Sequence, residues 1–64
     1  MCEKIKILDE LCFDLDLGYG VKGNVLYLSK ANPDYLIKRI KRRARELGVR
    51  FRTKKDYIDF FIEE

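Results

Sequence analysis

Hydrophobic and polar residues follow several different spacings along this chain, and the changes of spacing mark the predicted elements. From Ile5 to Cys12 the apolar residues recur at the spacing of one face of a helix. From Phe13 to Leu17 they alternate strictly with aspartates, as in a half-buried strand. The pattern therefore predicts a helix over residues 3–11 and a strand over residues 12–18.

A glycine-rich segment follows, Gly18-Tyr-Gly-Val-Lys-Gly-Asn24. It predicts a hairpin connection, because glycine and asparagine tolerate positive φ. Val25-Leu-Tyr-Leu28 comes next and is apolar at every position, which is typical of a central strand covered on both faces. Residues 24–29 are therefore predicted to pair with residues 12–18 as a β-hairpin.

The longest predicted helix spans residues 34–47. Asn32 is the expected N-cap, Pro33 the first helical residue, and Asp34 an acid near the positive end of the helix dipole. Gly48 supplies the stop signal. At about 100° per residue the apolar side chains of this helix fall on one arc. They are Leu36, Ile37, Ile40, Ala44 and Leu47.

Residues 49–53 alternate again and predict a third strand. Because a single helix would join it to Val25–Leu28, we expect these two strands to pair in parallel through a right-handed crossover. The predicted fold is α+β: one domain over residues 1–64, with a small three-stranded mixed sheet covered by short terminal helices.

The C-terminal residues predict a last helix. Thr53 and Asp56 approximate a capping box, so the helix is expected to continue to about residue 63. Such a helix would be apolar around most of its circumference, and we expect a homodimer to cover it. The residues of this predicted interface are Tyr57, Ile58, Phe60, Phe61 and Ile62.

From Asn24 onward, the order of strand, basic helix, turn and apolar helix resembles the ribbon-helix-helix repressors. In that family two chains pair their strands and insert the resulting ribbon into the major groove of DNA. The resemblance implies an intertwined dimer, and this is the alternative architecture.

Charge is distributed very unevenly along the chain. Residues 38–55 hold ten Lys and Arg and one acid, Glu46, a local charge of 10 − 1 = +9, so the other residues sum to 3 − 9 = −6. Like charges recur four residues apart on the helix, at 38 and 42 and at 41 and 45, where they repel slightly. The candidate nucleic-acid-binding residues are Lys38, Arg39, Lys41, Arg42, Arg43, Arg45, Arg50 and Arg52.

These charges predict a nucleic-acid-binding protein, a small DNA-binding or regulatory protein acting in transcription, that contacts phosphates through the basic helix and the following strand. Double-stranded DNA is slightly favoured over RNA, because a rigid basic helix suits a groove and no aromatic sheet motif is apparent. The alternative is a protein interaction module, an antitoxin or small assembly subunit, whose basic face binds an acidic partner.

Other functions find little support in the residues. Gly18 to Gly23 matches G-x-G-x-x-G, but a strand follows where a dinucleotide site needs a helix. With no histidine, one serine and one threonine, no catalytic pairing, metal site or cofactor is expected. No apolar run reaches the roughly 18 residues of a membrane span. We expect a cytoplasmic protein with reduced cysteines, and the 39% charged residues are typical of heat-adapted proteins.

Overall fold

The computed structural model describes residues 2–62, which form two helices and a four-stranded antiparallel sheet. This confirms the α+β class, whereas the predicted three-stranded mixed sheet is wrong. The sheet order is β1-β2-β4-β3. The elements are α1 (Glu3–Asp14), β1 (Tyr19–Lys22), β2 (Val25–Ser29), α2 (Asp34–Leu47), β3 (Arg50–Thr53) and β4 (Tyr57–Phe61).

Helix α1 extends beyond residue 11, so the strand predicted over residues 12–18 is wrong. The helix ends at Asp14, with Leu15 as its C-cap, and the next residue, Asp16, takes the left-handed conformation with φ 56°. The Leu17 N–H donates to the Cys12 carbonyl at 3.0 Å, and the Asp16 N–H donates to the Phe13 carbonyl at 3.1 Å. These are the two hydrogen bonds of a Schellman motif, in which the residue after the turn packs back on the helix. Leu17 is buried because the chain turns back onto the helix at this motif. This explains why the apolar residues from Phe13 to Leu17 appear to alternate as in a strand.

Strand β1 lies inside the segment predicted to be a hairpin connection. Only Gly23 and Asn24 form the turn, and Lys22 pairs with Val25 directly beside it. Gly23 has φ 60° while Asn24 does not have a positive φ, which is the pattern of a type II′ turn. The hairpin is therefore formed by β1 and β2, and it is tighter than predicted.

Helix α2 has the predicted range, Asp34–Leu47, and the predicted glycine stop. Gly48 has φ 75°, and the Val49 N–H donates to the Ala44 carbonyl at 2.8 Å, as in the ending of α1. The start differs by one residue, because Pro33 occupies the N-cap position and no side chain caps the helix.

Asn32 has another function. Its Oδ1 accepts from the Gly18 N–H at 2.8 Å, and its Nδ2 donates to the Gly18 carbonyl at 2.9 Å and to the Ser29 carbonyl at 2.7 Å. This one amide therefore joins the α1–β1 connection to the β2–α2 connection, and it is not available to cap α2.

The predicted C-terminal helix is wrong, because residues 57–61 form strand β4 in the interior of the sheet. β4 is antiparallel to both β2 and β3. β2 and β3 therefore run in the same direction, as predicted, but β4 lies between them and they do not pair. In the ribbon-helix-helix architecture the last element is a helix, and here it is a strand.

Both helices pack on one face of the sheet around a single hydrophobic core. Cross-strand partners project from the same face, so Leu26 and its partner Phe60 lie on the helix side together with Leu28 and its partner Ile58. The buried apolar residues of this core are Ile5, Leu8, Cys12, Leu17, Leu26, Leu28, Ile37, Ile40, Ala44, Val49, Ile58 and Phe60.

The core also accounts for part of the surface assigned to a homodimer. Ile58 is 2% exposed and Phe60 is 0% exposed, so this chain covers both without a partner. Homodimer formation stays a prediction. Across residues 2–62 no helix is long and apolar enough to cross a membrane.

We expect Asn32→Ala to lower the free energy of unfolding by about 1 to 2 kcal/mol, because the Gly18 N–H loses its partner. The Gly18 and Ser29 carbonyls each lose the side-chain donor and keep one backbone donor. Urea denaturation followed by circular dichroism would measure this. Asn24→Ala is the matched control, since Asn24 accepts a single hydrogen bond, from the Cys2 N–H at 3.0 Å, and its loss should cost about 0.5 kcal/mol. Equal losses in the two variants would contradict the structural role of Asn32.

Candidate nucleic-acid interface

The central part of the candidate interface is the solvent side of α2. Its buried side holds Ile37, Ile40 and Ala44, which fixes the rotation of the helix against the sheet. Four predicted residues line one shallow surface on the opposite side: Lys38, Lys41, Arg42 and Arg45. Within the described residues none of these four forms an ion pair with a carboxylate. No carboxylate of residues 2–62 therefore neutralises their charges.

Arg39 and Arg43 lie on a flank of this helix, beside Arg42 and the half-buried Leu11 of α1. Arg43 donates to Glu46 at 3.3 Å, with 42% and 55% of the two side chains exposed. An exposed pair of this kind contributes little to stability. It does place the only acid of residues 38–55 beside Arg43, away from the four residues of the shallow surface.

Phe51 links α2 to β3. Lys41 Nζ lies 5.5 Å and Arg45 Cζ 5.3 Å from the centre of the Phe51 ring, and the ring itself packs 5.5 Å from Phe60. Cations over an aromatic face are attracted by its quadrupole. These contacts hold the last turns of the basic helix against an edge strand of the sheet.

Arg50 and Arg52 flank Phe51 on β3 and project to the opposite face of the sheet, because strand side chains alternate. Arg52 Cζ lies 5.8 Å from the centre of the Phe61 ring. The eight predicted residues thus form two groups, six on α2 and two on β3. Together they extend around the β3 edge from the helix side of the sheet to the other side.

Sequence reasoning missed the second face of the sheet. We call it the open sheet face, since both helices pack on the other side. Residues paired across the four strands, in the order β1, β2, β4 and β3, form two rows on this face. The first row is Gly20, Tyr27, Asp59 and Arg52. The second row is Lys22, Val25, Phe61 and Arg50. Ser29 on β2 pairs with Tyr57 on β4 beyond the first row. The sequence signal for this face is that Tyr57, Asp59 and Phe61 stand at alternate positions, as on one face of a strand. The prediction of a helix over these residues hid that signal.

An acid lies in the middle of the open sheet face. Asp59 is 8% exposed, and one of its oxygens pairs with Lys54 Nζ at 2.8 Å. The backbone keeps Lys54 in place, since its N–H donates to the Tyr57 carbonyl at 2.8 Å and its carbonyl accepts from Lys30 Nζ at 3.1 Å. The negative charge is therefore compensated locally.

Two ionisable groups on the helix side are held in their neutral forms. A hydrogen bond from the Tyr19 hydroxyl to Asp9, 2.5 Å long, raises the pKa of Tyr19 to about 12. Burial, with the Asp9 charge adding to it, raises the pKa of the Cys12 thiol to about 12. A buried protonated thiol is a poor nucleophile, so Cys12 acts as a core residue.

The cation–π contacts of Phe51 should be measurable as a coupling energy. A double-mutant cycle of Arg45→Gln and Phe51→Leu is expected to give about 0.5 to 1 kcal/mol in urea denaturation, because each variant removes one side of the contact. Arg42→Gln with Phe51→Leu is the control, since Arg42 lies on the same shallow surface but does not face the ring. An equal coupling energy between Arg42 and Phe51 would contradict a specific cation–π contact between Arg45 and Phe51.

No protein-family model, curated protein or solved structure matches this chain. Within the described residues no group of three or more His, Cys, Asp or Glu side chains is placed to hold a metal ion. What the geometry does bring together is a cationic surface and an aromatic face that meet at β3.

Proposed function

We propose that this chain binds nucleic acid, with phosphates contacting the solvent side of α2 and the adjacent edge strand β3. The observation that carries this proposal is the group Lys38, Lys41, Arg42 and Arg45, whose charges lie on one surface with no carboxylate partner in the described chain. Such a surface attracts a polyanion and releases its condensed counterions on binding.

A basic helix that served only to contact solvent would not require this arrangement. Lys38 and Arg42, and likewise Lys41 and Arg45, are like charges one helical turn apart, and each pair costs a few tenths of a kcal/mol. An alternation of Glu and Lys would stabilise the same helix instead. The charges therefore oppose helix stability, which supports a role in binding.

Arginine outnumbers lysine in the basic segment of residues 38–55. Six of the ten cations in residues 38–55 are Arg, whose planar guanidinium binds phosphate through two parallel hydrogen bonds. Contact with four to six phosphates predicts a salt slope of about −4 to −5 in a plot of log affinity against log salt concentration.

The charge requirement can be tested with a pair of matched variants. Lys38→Gln with Arg42→Gln should reduce the salt slope by about 2 and weaken binding at least about tenfold near 50 mM salt. Lys4→Gln with Lys6→Gln is the control, because it removes the same charge from exposed positions on α1. Fluorescence anisotropy with labelled duplex DNA, single-stranded DNA and RNA would measure both.

Equal weakening by the two double variants would mean that net charge alone drives binding and would contradict the assigned surface. Absence of binding to all three nucleic acids at low salt would contradict the proposal itself. The function left for the basic surface would then be contact with an acidic protein.

A further inference from the structure

The two central strands of the open sheet face carry aromatic side chains, although neither α1 nor α2 covers them. Antiparallel sheets commonly pack one face on the core and present polar residues on the other. Here Val25, Tyr27, Tyr57 and Phe61 occupy the outward positions of the two central strands. Tyr57 is 49% exposed, and Tyr27 and Phe61 are partly exposed. An aromatic surface of this kind points to a ligand with flat apolar faces.

The three rings form a zigzag row across β2 and β4. Tyr27 is paired with Asp59, so Tyr57 and Phe61 are its two diagonal neighbours on β4. Diagonal neighbours are roughly 7 Å apart, and four residues along a strand span roughly 14 Å. Planar groups could therefore stack on separate rings of this row at regular intervals.

A glycine leaves space beside the central ring. Gly20 is the partner of Tyr27 on β1, and a Cβ added there would meet nothing within 4 Å. A groove of about 630 Å³ opens at this place, and its lining includes Tyr27, Tyr57 and Ser29. Its volume lies within the usual range of small-molecule sites, so it can accommodate a heterocyclic base.

Cations surround the row at the edges of the sheet. Arg50 and Arg52 lie on β3 at one edge, and Lys22 lies on β1 at the other. The Arg52 guanidinium already packs over Phe61, 5.8 Å from the ring centre, and its outer plane is itself a stacking surface for a base. At the β3 edge the cations of the open sheet face adjoin those of α2, because Arg50 and Arg52 flank Phe51, and Lys41 and Arg45 of α2 contact the Phe51 ring.

We propose that the open sheet face binds unpaired bases, so that the ligand of this chain is single-stranded nucleic acid. Bases stack on Tyr27 and Tyr57, and the phosphates follow Arg50 and Arg52 toward α2. Base-paired duplexes hide their base faces inside the helix and cannot use this row. The proposal rests on the proposed function and deepens it. The slight preference for duplex DNA came in part from the lack of an apparent aromatic sheet motif in the sequence, and the register of β2 and β4 adds three aromatic rings on one face.

A second copy of the chain fits this face less well. It would bring Arg52 and Lys22 of one molecule toward the same cations of another, whereas a phosphodiester chain is complementary to them. Asp59 does not alter this comparison, since Lys54 already compensates its charge.

Tyr27→Leu with Tyr57→Leu tests stacking without creating a large cavity or changing charge. The probes are a labelled oligothymidine and oligouridine of about 15 nucleotides, an abasic strand of the same length, and a duplex. The double variant should bind both base-containing strands at least about tenfold more weakly, with an unchanged salt slope and unchanged affinity for the abasic strand and the duplex. Phe13→Leu is the control, because Phe13 is 74% exposed on α1, and α1 packs on the other side of the sheet.

Intrinsic fluorescence gives an independent measurement. The chain has four tyrosines and no tryptophan, so stacking of bases on Tyr27 and Tyr57 should quench its emission, and the double variant should lose that quenching. Circular dichroism and urea denaturation of each variant would verify folding.

Three results would overturn the inference. The first is that a folded Tyr27→Leu, Tyr57→Leu protein binds the base-containing strands as tightly as the unsubstituted protein, while the Lys38→Gln, Arg42→Gln protein binds them more weakly. That result would leave the phosphate-binding proposal intact. The second is equal affinity of the unsubstituted protein for the abasic strand and oligothymidine. The third is a dimer that the double variant dissociates in sedimentation without any effect on strand binding. Absence of binding to every probe would overturn the proposed function as well.

Discussion

Strand β4 lies between β2 and β3, and the remaining architecture depends on this position. It pairs with β2 from Tyr57 to Phe61 and with β3 from Ile58 to Phe61, so it supplies hydrogen bonds to both halves of the sheet. Ile58 and Phe60 lie at the centre of the core, and Phe60 contacts Phe51. Without β4, the unit formed by β2, α2 and β3 would have no shared partner, and α1 would have a smaller sheet to cover.

The same strand determines where the charges lie. By separating β3 from β2, it makes β3 an edge strand, with Phe51 toward α2 and Arg50 and Arg52 toward the open sheet face. Lys41 and Arg45 reach Phe51 from α2, so cations from a helix and from a strand meet across one edge. β4 also contributes Tyr57 and Phe61 to the open sheet face. The electrostatic and aromatic parts of the proposed interface are thus adjacent for a topological reason.

The sequence predicted the elements whose signals are local. Helix α2 has an apolar arc, an acid in its first turn and a glycine stop, and β2 and β3 have clear strand patterns. The end of α1 was misplaced because Asp16, not glycine, takes the left-handed conformation there. β4 was assigned to a helix because its residues are apolar on both faces, which periodicity alone cannot distinguish from a buried helix. Val25–Leu28 has the same character and was correctly assigned.

For the candidate interface, the basic residues of α2 and β3 were predictable, since charge is read directly from the chain. The aromatic row was not, because it depends on the cross-strand register that places Tyr27 between Tyr57 and Phe61. Pairing between strands distant in sequence leaves no local signal. For the same reason the sequence did not show that Ile58 and Phe60, two residues of the predicted dimer interface, are buried within the chain; the homodimer itself stays a prediction.

The most direct test is to map amide chemical shifts of the nitrogen-15-labelled protein during titration with a single-stranded oligothymidine of about 15 nucleotides. Binding to the proposed interface should shift amides in three places: on β4 and β2 around Tyr57 and Tyr27, along β3 from Arg50 to Thr53, and on α2 from Lys38 to Arg45. Residues around Lys4 and Lys6 on α1 should remain unperturbed. Shifts confined to α1, or confined to α2 with no change on β2, β3 and β4, would contradict single-strand binding at this interface.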